Sequence, residues 1–370
     1  MANTVGGRVT GGPGGPIRDN STRVSEREDL ANFISMITRD ETPFMSSIGK
    51  TKATAIYHEW QTDALETPGD SRIPEGQDWA VPGGTGITPA VGSQFNVVGP
   101  SRSRLGNYTQ INGKTMAVSG TKRAVDQAGV ADEYAYQLKK RGTEMRRDIE
   151  SDLVNTGNFS APTGAQAGGA RTMGGYQSFI NNTSTVRLVG GTTVSGSNDD
   201  HDGTGQVSLA ISTSRASLSL SDIDQVMQDI YEEGGKASKI MLSPKLRRDF
   251  SDLMVTDSGV RRNIDMDGKL RQSVDIYMSD FGDLMVVPNY IMGLTSAGTT
   301  SGAAGAPGTG DWASAAALIY DPMWFSIATL RPLQEVDVGQ RGDSTVGMLV
   351  EECTLEVKNP LGCGAIYGLS

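Results

Sequence analysis

The sequence predicts an α+β fold organised around one long amphipathic helix, and three observations carry this prediction. Apolar residues recur at helical spacing from Ala131 to Val154, a stretch that would span roughly 35 Å as a helix. Two earlier runs, one from Thr54 and one from Gly106 to Val118, alternate in polarity and predict a pair of strands. Helical and strand patterns then alternate from about residue 218 to 330, which predicts a compact block.

The long helix is predicted to separate apolar from charged residues. Its apolar side consists of Tyr134, Leu138, Met145, Ile149 and Leu153. The opposite side is predicted to carry the charged residues Lys139, Lys140, Glu144, Arg147, Asp148 and Glu150. We call Lys139, Lys140, Arg141, Arg146 and Arg147 the basic strip, which is interpreted as a solvated helix face. Asn155 and Gly157 supply the stop, because both tolerate the left-handed turn that ends helices. Gly142 lies in the helix interior, where glycine costs about 1 kcal/mol relative to alanine, and is predicted to mark a close packing contact.

The chain before the long helix predicts an N-terminal segment and then an extended hairpin. Residues 1–24 are Gly-rich and polar and are expected to be extended or disordered. A short amphipathic helix is predicted at Glu26–Thr38, and Phe33 and Ile37 should be buried against the body or a neighbour. The two strands flank Pro68–Gly99, which is rich in proline and glycine, so we interpret them as a long arm. Because an isolated hairpin is marginally stable, the arm is expected to lie on a partner and to contact its own subunit little.

The chain after the long helix predicts a connection, the compact block and returning strands. The connection, from Gly157 to Ser217, is rich in glycine, serine and threonine, and its compact apolar patch is Tyr176–Ile180. The block is predicted to hold a helix capped by Ser221 with Tyr231 on its inner face, a strand at Lys239–Leu242, a helix opened by Pro244, a hairpin around Asp280–Asp283, and strands at Ala315–Tyr320 and Trp324–Leu330. The final run, Met348–Val357, alternates so that one of its sides should pack on a core.

Composition argues against several classes of protein. A chain of 370 residues is long enough for two domains, and its net charge of -10 argues against a dedicated nucleic-acid binder, which would be basic. Cys353 and Cys363 show neither a disulfide framework nor zinc-binding spacing, so we expect a reduced pair. We see no signal peptide and no run of roughly eighteen apolar residues, so we expect a soluble protein in a reducing compartment, with no membrane partner.

The residues that could carry catalysis are few. His58 falls in the alternating run and His201 in a polar loop, and neither has metal-ligand spacing, so a surface or cross-strand role is favoured for both. Gly49-Lys50-Thr51 and Gly113-Lys114-Thr115 resemble the end of a phosphate-binding loop but lack its first glycine. No nucleophile elbow with a following histidine occurs.

Two further motifs are interpreted as loops. Asp199, Asp200 and Asp202 lack the spacing of an EF-hand and are interpreted as solvated. Arg341-Gly342-Asp343 matches a cell-attachment tripeptide, but a tight turn before a strand is favoured. We therefore predict no catalytic, cofactor-binding or metal-binding residue and no enzymatic activity.

Several short motifs follow one another in an order that is more specific than any of them alone. They are Arg39–Phe44, Ser47–Lys50, His58–Asp63, Arg171–Gly175, Asp280–Gly282, Val286–Asn289, Leu330–Pro332 and Glu352–Asn359. In this order the chain resembles the major capsid proteins of tailed bacteriophages, which have the Hong Kong 97 capsid fold. The resemblance covers most of residues 25 to 370.

The resemblance implies a division of the chain into the parts of that fold. These are an N-arm at 1–53, an extended E-loop hairpin at 54–118, a first part of the P-domain at 119–217 with a spine helix at 124–156 and the Gly-rich connection, an A-domain at 218–330, and C-terminal P-domain strands at 331–370. The Gly-rich stretches 157–217 and 293–310 match no element of the family.

The resemblance also implies the function. The chain would self-assemble, as hexamers and pentamers, into the icosahedral head that encloses packaged double-stranded DNA, and would be found in the virion after assembly in the host cytoplasm. It implies a portal protein and, because a large charged N-terminal domain is absent, a separate scaffolding protein; a cement protein is left open. Contact with DNA should be sparse and non-specific, for example through the basic strip. Two alternatives are an encapsulin-like cellular compartment and a hydrolase with a long lid.

Overall fold

The computed structural model describes residues 36–63, 65, 102–125, 129–155, 170–180, 185–189, 193–195, 208–210, 216–257, 275–293 and 316–369. Its α-helices are α1 Pro43–Ser47, α2 Gly120–Ala124, α3 Glu133–Asn155, α4 Tyr176–Phe179, α5 Leu220–Glu232 and α6 Pro244–Asp257. Its strands are β1 Gly49–Lys52, β2 Tyr57–Thr62, β3 Ser103–Tyr108, β4 Gln110–Ser119, β5 Val186–Leu188, β6 Thr193–Ser195, β7 Ser208–Ala210, β8 Lys239–Leu242, β9 Ile276–Ser279, β10 Gly282–Pro288, β11 Ala316–Tyr320, β12 Phe325–Arg341, β13 Ser344–Val357 and β14 Gly364–Tyr367.

The predicted long helix is confirmed as α3, which lies on a four-stranded sheet with the order β1-β12-β13-β4. Met145, Ile149 and Leu153 are buried at this contact, as their helical spacing requires. Gly142 faces Leu349 of β13, and an added Cβ would lie 4.0 Å from the Leu349 Cδ1 atom. This is ordinary van der Waals spacing, so the predicted close contact at Gly142 is wrong.

The predicted hairpin is present as β2 and β3, which pair antiparallel from Tyr57 opposite Tyr108 to Thr62 opposite Ser103. The prediction that the second run belongs wholly to this arm is wrong. The run is interrupted at Thr109, and β4 pairs with β13 in the four-stranded sheet. Met116 and Val118 are therefore buried in the subunit's own core, and Leu105 and Asn107 of β3 are buried as well. The expectation that the arm contacts its own subunit little is thus wrong for these residues, because alternation reveals a strand but not which sheet it joins.

The compact block is a six-stranded sheet with the order β5-β14-β11-β8-β10-β9. Its β11 strand is apolar throughout because both faces of the sheet are covered. Leu318 and Tyr320 face the core shared with α1, α3 and α4, whereas Ala317 and Ile319 face the core formed with α5 and α6. The two cores thus lie on opposite sides of one sheet.

The membership of the two sheets differs from the predicted limits of the block, 218–330. Strands β5 and β14 lie outside those limits in the sequence but belong to the six-stranded sheet. Strand β12 starts inside them at Phe325 but pairs with β13 in the other sheet. Strand pairing between distant segments sets this membership, and a local pattern of residues carries no information about it.

Three local predictions also differ from the structure. The cap of α5 is Ser219, whose hydroxyl accepts from the Ser221 backbone N–H, in place of Ser221 itself. Tyr231 is 62% exposed, although it was expected on the inner face of that helix. Residues 36–38 are not helical and Ile37 is 95% exposed, so the predicted helix at Glu26–Thr38 does not reach its expected end.

Some predictions concern residues outside those that the structure describes. They are the helix residue Phe33, the tip Pro68–Gly99, the acidic loop with His201, and most of 157–217 and 293–310. Within the connection, the apolar patch at Tyr176–Ile180 is confirmed as a buried segment that contains α4. No helix in the described ranges is long and apolar enough to cross a membrane.

Candidate assembly surfaces

The segment that leads in from the N-terminus is held on α3 by the carboxylate of Glu150. The prediction that Glu150 lies on the charged side of the helix is wrong, since this residue is fully buried and bonded to that segment. Glu150 accepts hydrogen bonds from the backbone N–H groups of Phe44, at 2.8 Å, and Met45, at 2.7 Å. The Asn289 side-chain amide donates to the same carboxylate at 2.9 Å. Burial raises the pKa of Glu150, while these three donors act in the opposite direction. One side chain therefore connects α1, α3 and the end of β10.

Phe44 fixes the same segment through aromatic packing. Its ring is fully buried and lies 5.2 Å from the ring of Tyr320, 5.5 Å from Phe325 and 6.1 Å from Tyr176, each edge to face. Tyr176 in turn donates from its hydroxyl to the backbone oxygens of Ile319 and Gly364. The residues around Phe44 come from α4, β11 and β12, so this cluster joins both sheets.

The hairpin is attached to the body at its base by buried polar groups. We call Asn107, Thr109, Arg171 and Glu352 the arm root. The Asn107 amide donates to the carbonyl oxygens of Gly174, at 3.0 Å, and Leu355, at 2.9 Å, and its own oxygen accepts from the Gly174 N–H at 2.8 Å.

Glu352 is the charged centre of the arm root and is 4% exposed. Its Oε1 atom accepts from the Thr109 hydroxyl at 2.9 Å and is paired with Arg171, while Oε2 accepts from the Arg331 Nε at 2.7 Å. Arg171 also donates from Nε to the Thr109 carbonyl oxygen at 3.0 Å. The guanidinium groups of Arg171 and Arg331 therefore compensate the charge of the buried Glu352 carboxylate. This carboxylate lies beside Thr109, the residue between β3 and β4.

Among the described residues, an apolar surface is exposed on the β9–β10 hairpin, at the edge of the six-stranded sheet. Ile276, Met278 and Met285 are 57%, 75% and 53% exposed there, and Ile276 lies opposite Met285 on one face of the hairpin. Ile111 and Val336 of the four-stranded sheet are also exposed, but they lie on different strands and four residues apart along β13, so they are isolated from each other. Clustered apolar side chains on a surface are typical of protein–protein interfaces.

The basic strip is only partly available as a charged surface. Arg141 is paired with Glu144 at 2.7 Å. Arg146 lies near Glu351: burial raises the pKa of Glu351, and the charge of Arg146 offsets part of that rise. Lys139 and Arg146 are exposed, whereas Arg147 is half-buried. The strip is therefore a mixed surface with a few accessible cations.

The residues singled out for chemistry that the structure describes lie in strands, in a turn or in the core. His58 lies on β2 opposite Asn107 of β3, and its Nε2 atom is 3.6 Å from Glu356 of β13. Gly49 and Gly113 are in strands, and Gly342 is in the turn between β12 and β13 with a φ of 62°. Cys353 and Cys363 are free and buried. Among the described residues, no group of three histidine, cysteine or acidic side chains could hold a metal ion.

Sequence reasoning did not single out the polar side chains of the arm root for a role. Arg171 and Glu352 fell inside motifs that carried the resemblance, and Asn107 carried no signal at all. The one sequence feature that pointed to the arm root was Glu352. A carboxylate in a predicted core strand needs a hydrogen-bonding or charged partner, because burying it alone is costly.

The comparisons with solved structures show the fold. The structure titled Mycobacterium phage Ogopogo matches with a TM-score of 0.55 at 10% identity, over 95% of this chain and 99% of that one. The mature capsid of bacteriophage PhiM1 matches with a TM-score of 0.52 at 10% identity, over 95% and 94%. The holo-SrpI encapsulin complex from Synechococcus elongatus matches at 0.51 and 9% identity, over 96% of both chains. The predicted Hong Kong 97 capsid fold is confirmed.

The comparisons of sequence show the family. The major capsid protein of Escherichia phage Phieco32 is 26% identical over 255 residues, which cover 64% of this chain and 68% of that one. The family model described as SU10 major capsid protein matches residues 17–370. The chain therefore belongs to the SU10 family of phage major capsid proteins and forms the capsid of the virion.

Proposed function

We propose that the chain builds its icosahedral shell from hexamers and pentamers, with the hairpin of each subunit lying on a neighbour, and that the shell encloses double-stranded DNA. The observation that carries this proposal is the hairpin itself. Among the described strands, β2 and β3 pair only with each other. A two-stranded sheet is marginally stable in water, and among the described residues the body supports this one only at its base, through Asn107 and Trp60; we infer that a neighbouring subunit supports the remainder.

The proposed parts follow the family division, with limits adjusted to the sheets. The N-arm at 1–53 ends in α1 and β1, the E-loop contains β2 and β3, and the P-domain contains α3 with the four-stranded sheet. The A-domain contains the six-stranded sheet, and the exposed face of its β9–β10 hairpin is the proposed contact between A-domains.

The proposed partners beyond further copies of the chain are a portal protein, a separate scaffolding protein and DNA. The acidic chain should contact phosphate sparsely, through exposed cations such as Lys139 and Arg146. Such contacts carry no sequence preference and weaken steeply with salt, because binding releases counterions. The chain is proposed to take no catalytic part.

Electron microscopy of the purified, concentrated chain tests assembly directly. We expect closed shells, and nuclease-protected double-stranded DNA in shells isolated from infected cells. Protein cargo without nucleic acid would instead favour the encapsulin-like alternative, which shares the fold. Absence of shells both from the purified chain and from infected cells would contradict the proposal.

Deleting Pro68–Gly99 tests the role of the arm. Because anything that binds only the folded form raises apparent stability, assembled shells should melt at a higher temperature than free subunits. The deletion should lower the melting temperature of shells and leave that of free subunits nearly unchanged. Equal losses in both states would place the segment in the subunit's own core.

A further inference from the structure

The hairpin contacts the body at the part of β13 that β4 no longer pairs with, where the backbone groups on one edge of β13 lack a partner among the described strands. Strand β4 pairs with β13 only as far as Gln110 opposite Cys353. Beyond that point, the Asn107 amide donates to the Leu355 carbonyl oxygen and the Trp60 indole donates to the Val357 carbonyl oxygen, at 2.9 and 2.8 Å. Two side chains of the hairpin thus replace the backbone donors that a continued ladder would supply.

These two hydrogen bonds fix the orientation of the hairpin relative to β13. Leu355 and Val357 are two residues apart, so their carbonyl groups lie on the same edge of the strand, separated by roughly 7 Å. The donors sit on different strands of the hairpin, Trp60 on β2 and Asn107 on β3. Two contacts on two strands prevent the hairpin from pivoting about either one alone.

The rest of the contact is built to hold those donors. Trp60 packs with its ring 5.9 Å from Phe179, and Asn107 is fully buried with three hydrogen bonds. Arg171 fixes the carbonyl oxygen of Thr109, the residue where the chain turns from β3 into β4. Beyond the chain connections at its base, the hairpin is therefore held on the body mainly by the side chains of Asn107, Trp60 and Arg171.

We propose that Asn107 and Trp60 are positioning residues that set the direction in which the arm leaves the subunit, and that the geometry of the shell depends on this setting. The proposal rests on the proposed function, since it assumes that the arm lies on a neighbour. A pivoting arm would still fold but would reach its neighbour at variable angles, so subunits would close into shells of variable curvature.

The direction of the arm can be measured on the free, full-length subunit. Spin labels at Gln61→Cys on the hairpin and Ala135→Cys on α3 occupy exposed positions. The native Cys353 and Cys363 are buried and have thiol pKa values of about 12, so they react slowly with the label. Pulsed electron resonance then gives the distribution of distances between hairpin and spine.

Two variants remove the donors, and one serves as control. Asn107→Ala should broaden the distance distribution, because each buried hydrogen bond lost should raise the population of undocked hairpins roughly tenfold. Trp60→Phe keeps the ring against Phe179 and removes only the N–H donor, so it tests the same point if Asn107→Ala fails to fold. Asn112→Ala is the control, since Asn112 is also buried and hydrogen-bonded, to Gln110 and Cys353, but does not touch the hairpin.

The expected result is a broadened distribution and a mixture of particle sizes by electron microscopy for both donor variants, with neither change in Asn112→Ala. An unchanged distribution in Trp60→Phe and any folded Asn107→Ala would overturn the positioning role and leave the proposed function standing. Broadened distributions with particles of uniform, wild-type size would overturn the link between arm direction and shell geometry. Failure of the proposed function itself would appear as absence of shells from the wild-type chain.

Discussion

Replacing Gly142 with alanine should stabilise the subunit, although glycine inside a helix is often retained for a close contact. A Cβ at this position would meet only the Leu349 Cδ1 atom, at 4.0 Å, among the atoms near it. The substitution therefore gains the helix propensity of alanine without overlap, which is worth about 0.5–1 kcal/mol in the free energy of unfolding.

The matched variant is Gly347→Ala on the strand that faces α3. A Cβ there would overlap the Tyr134 hydroxyl and lie 3.2 Å from Met116 Cε. That hydroxyl donates to Glu335 at 2.6 Å, and this hydrogen bond is the main reason that the pKa of Tyr134 is raised to about 12. Because the tyrosine is partly exposed and can move, the cost is mainly that of its hydrogen bond to Glu335, about 0.5–1.5 kcal/mol, and replacing a glycine within a strand offsets part of it.

Calorimetry and urea unfolding of the two variants measure both effects. With an unfolding entropy of roughly 2 cal/mol/K per residue, 1 kcal/mol shifts the melting temperature of a chain this long by about 1 °C. Gly142→Ala should therefore be the more stable of the two variants, by about 0.5–1.5 kcal/mol. A destabilised Gly142→Ala subunit, or a Gly347→Ala subunit of equal stability to Gly142→Ala, would refute the packing described at this contact.

Three further predictions concern the buried groups. Burial raises the pKa of Glu150 above 4.5, so the folded state binds that proton more readily than the unfolded state. The stability of the wild type relative to Glu150→Gln should therefore rise as the pH falls through the folded pKa toward about 4.5, and be lost as the pH rises through the folded pKa. Urea unfolding at several pH values measures this, and parallel profiles would contradict it. Phe44→Ala should cost about 3–5 kcal/mol by the same assay, whereas Met36→Ala, at a residue 58% exposed, should stay within about 0.5 kcal/mol. Iodoacetamide at pH 8 should modify Cys353 and Cys363 much more slowly in the folded chain than in urea, because both thiols are buried with pKa values of about 12; equal rates would show that these sites open readily.

Local patterns in the sequence were sufficient to predict most of the elements and insufficient to predict their partners. The periodicity of Met145, Ile149 and Leu153 placed α3 within two residues of its observed start at Glu133 and one of its observed end at Asn155. The continuous apolar run of β11 likewise marks a strand with both faces buried. Such signals arise from residues near each other in the chain, where spacing determines which side chains share a face.

The pairing of strands was beyond the reach of those patterns. Phe325 begins a strand that was assigned to the compact block, yet its partner Val357 lies in the other sheet. Strand β14 joins the block from the far end of the chain, against β11. Hydrogen bonds between strands are made by backbone groups that every residue except proline carries, so the identity of the partner leaves little trace in either strand.

The arm root shows the same limit in side chains. Asn107, Thr109, Arg171 and Glu352 come from three separate parts of the chain, and each alone is an ordinary polar residue. Their roles follow from the interruption at Thr109, which ends the pairing of β4 with β13 and leaves Leu355 and Val357 without a ladder partner on that edge. A buried carbonyl group must find a donor, and the donors available there are the side chains of Asn107 and Trp60. Because side chains replace the ladder here, the hairpin forms a two-stranded sheet separate from the four-stranded sheet that contains β4. Among the described strands, no further strand pairs with the outer edges of β2 and β3. The proposed contacts with neighbouring subunits would use these edges, and the interruption at Thr109 is where this chain produces them.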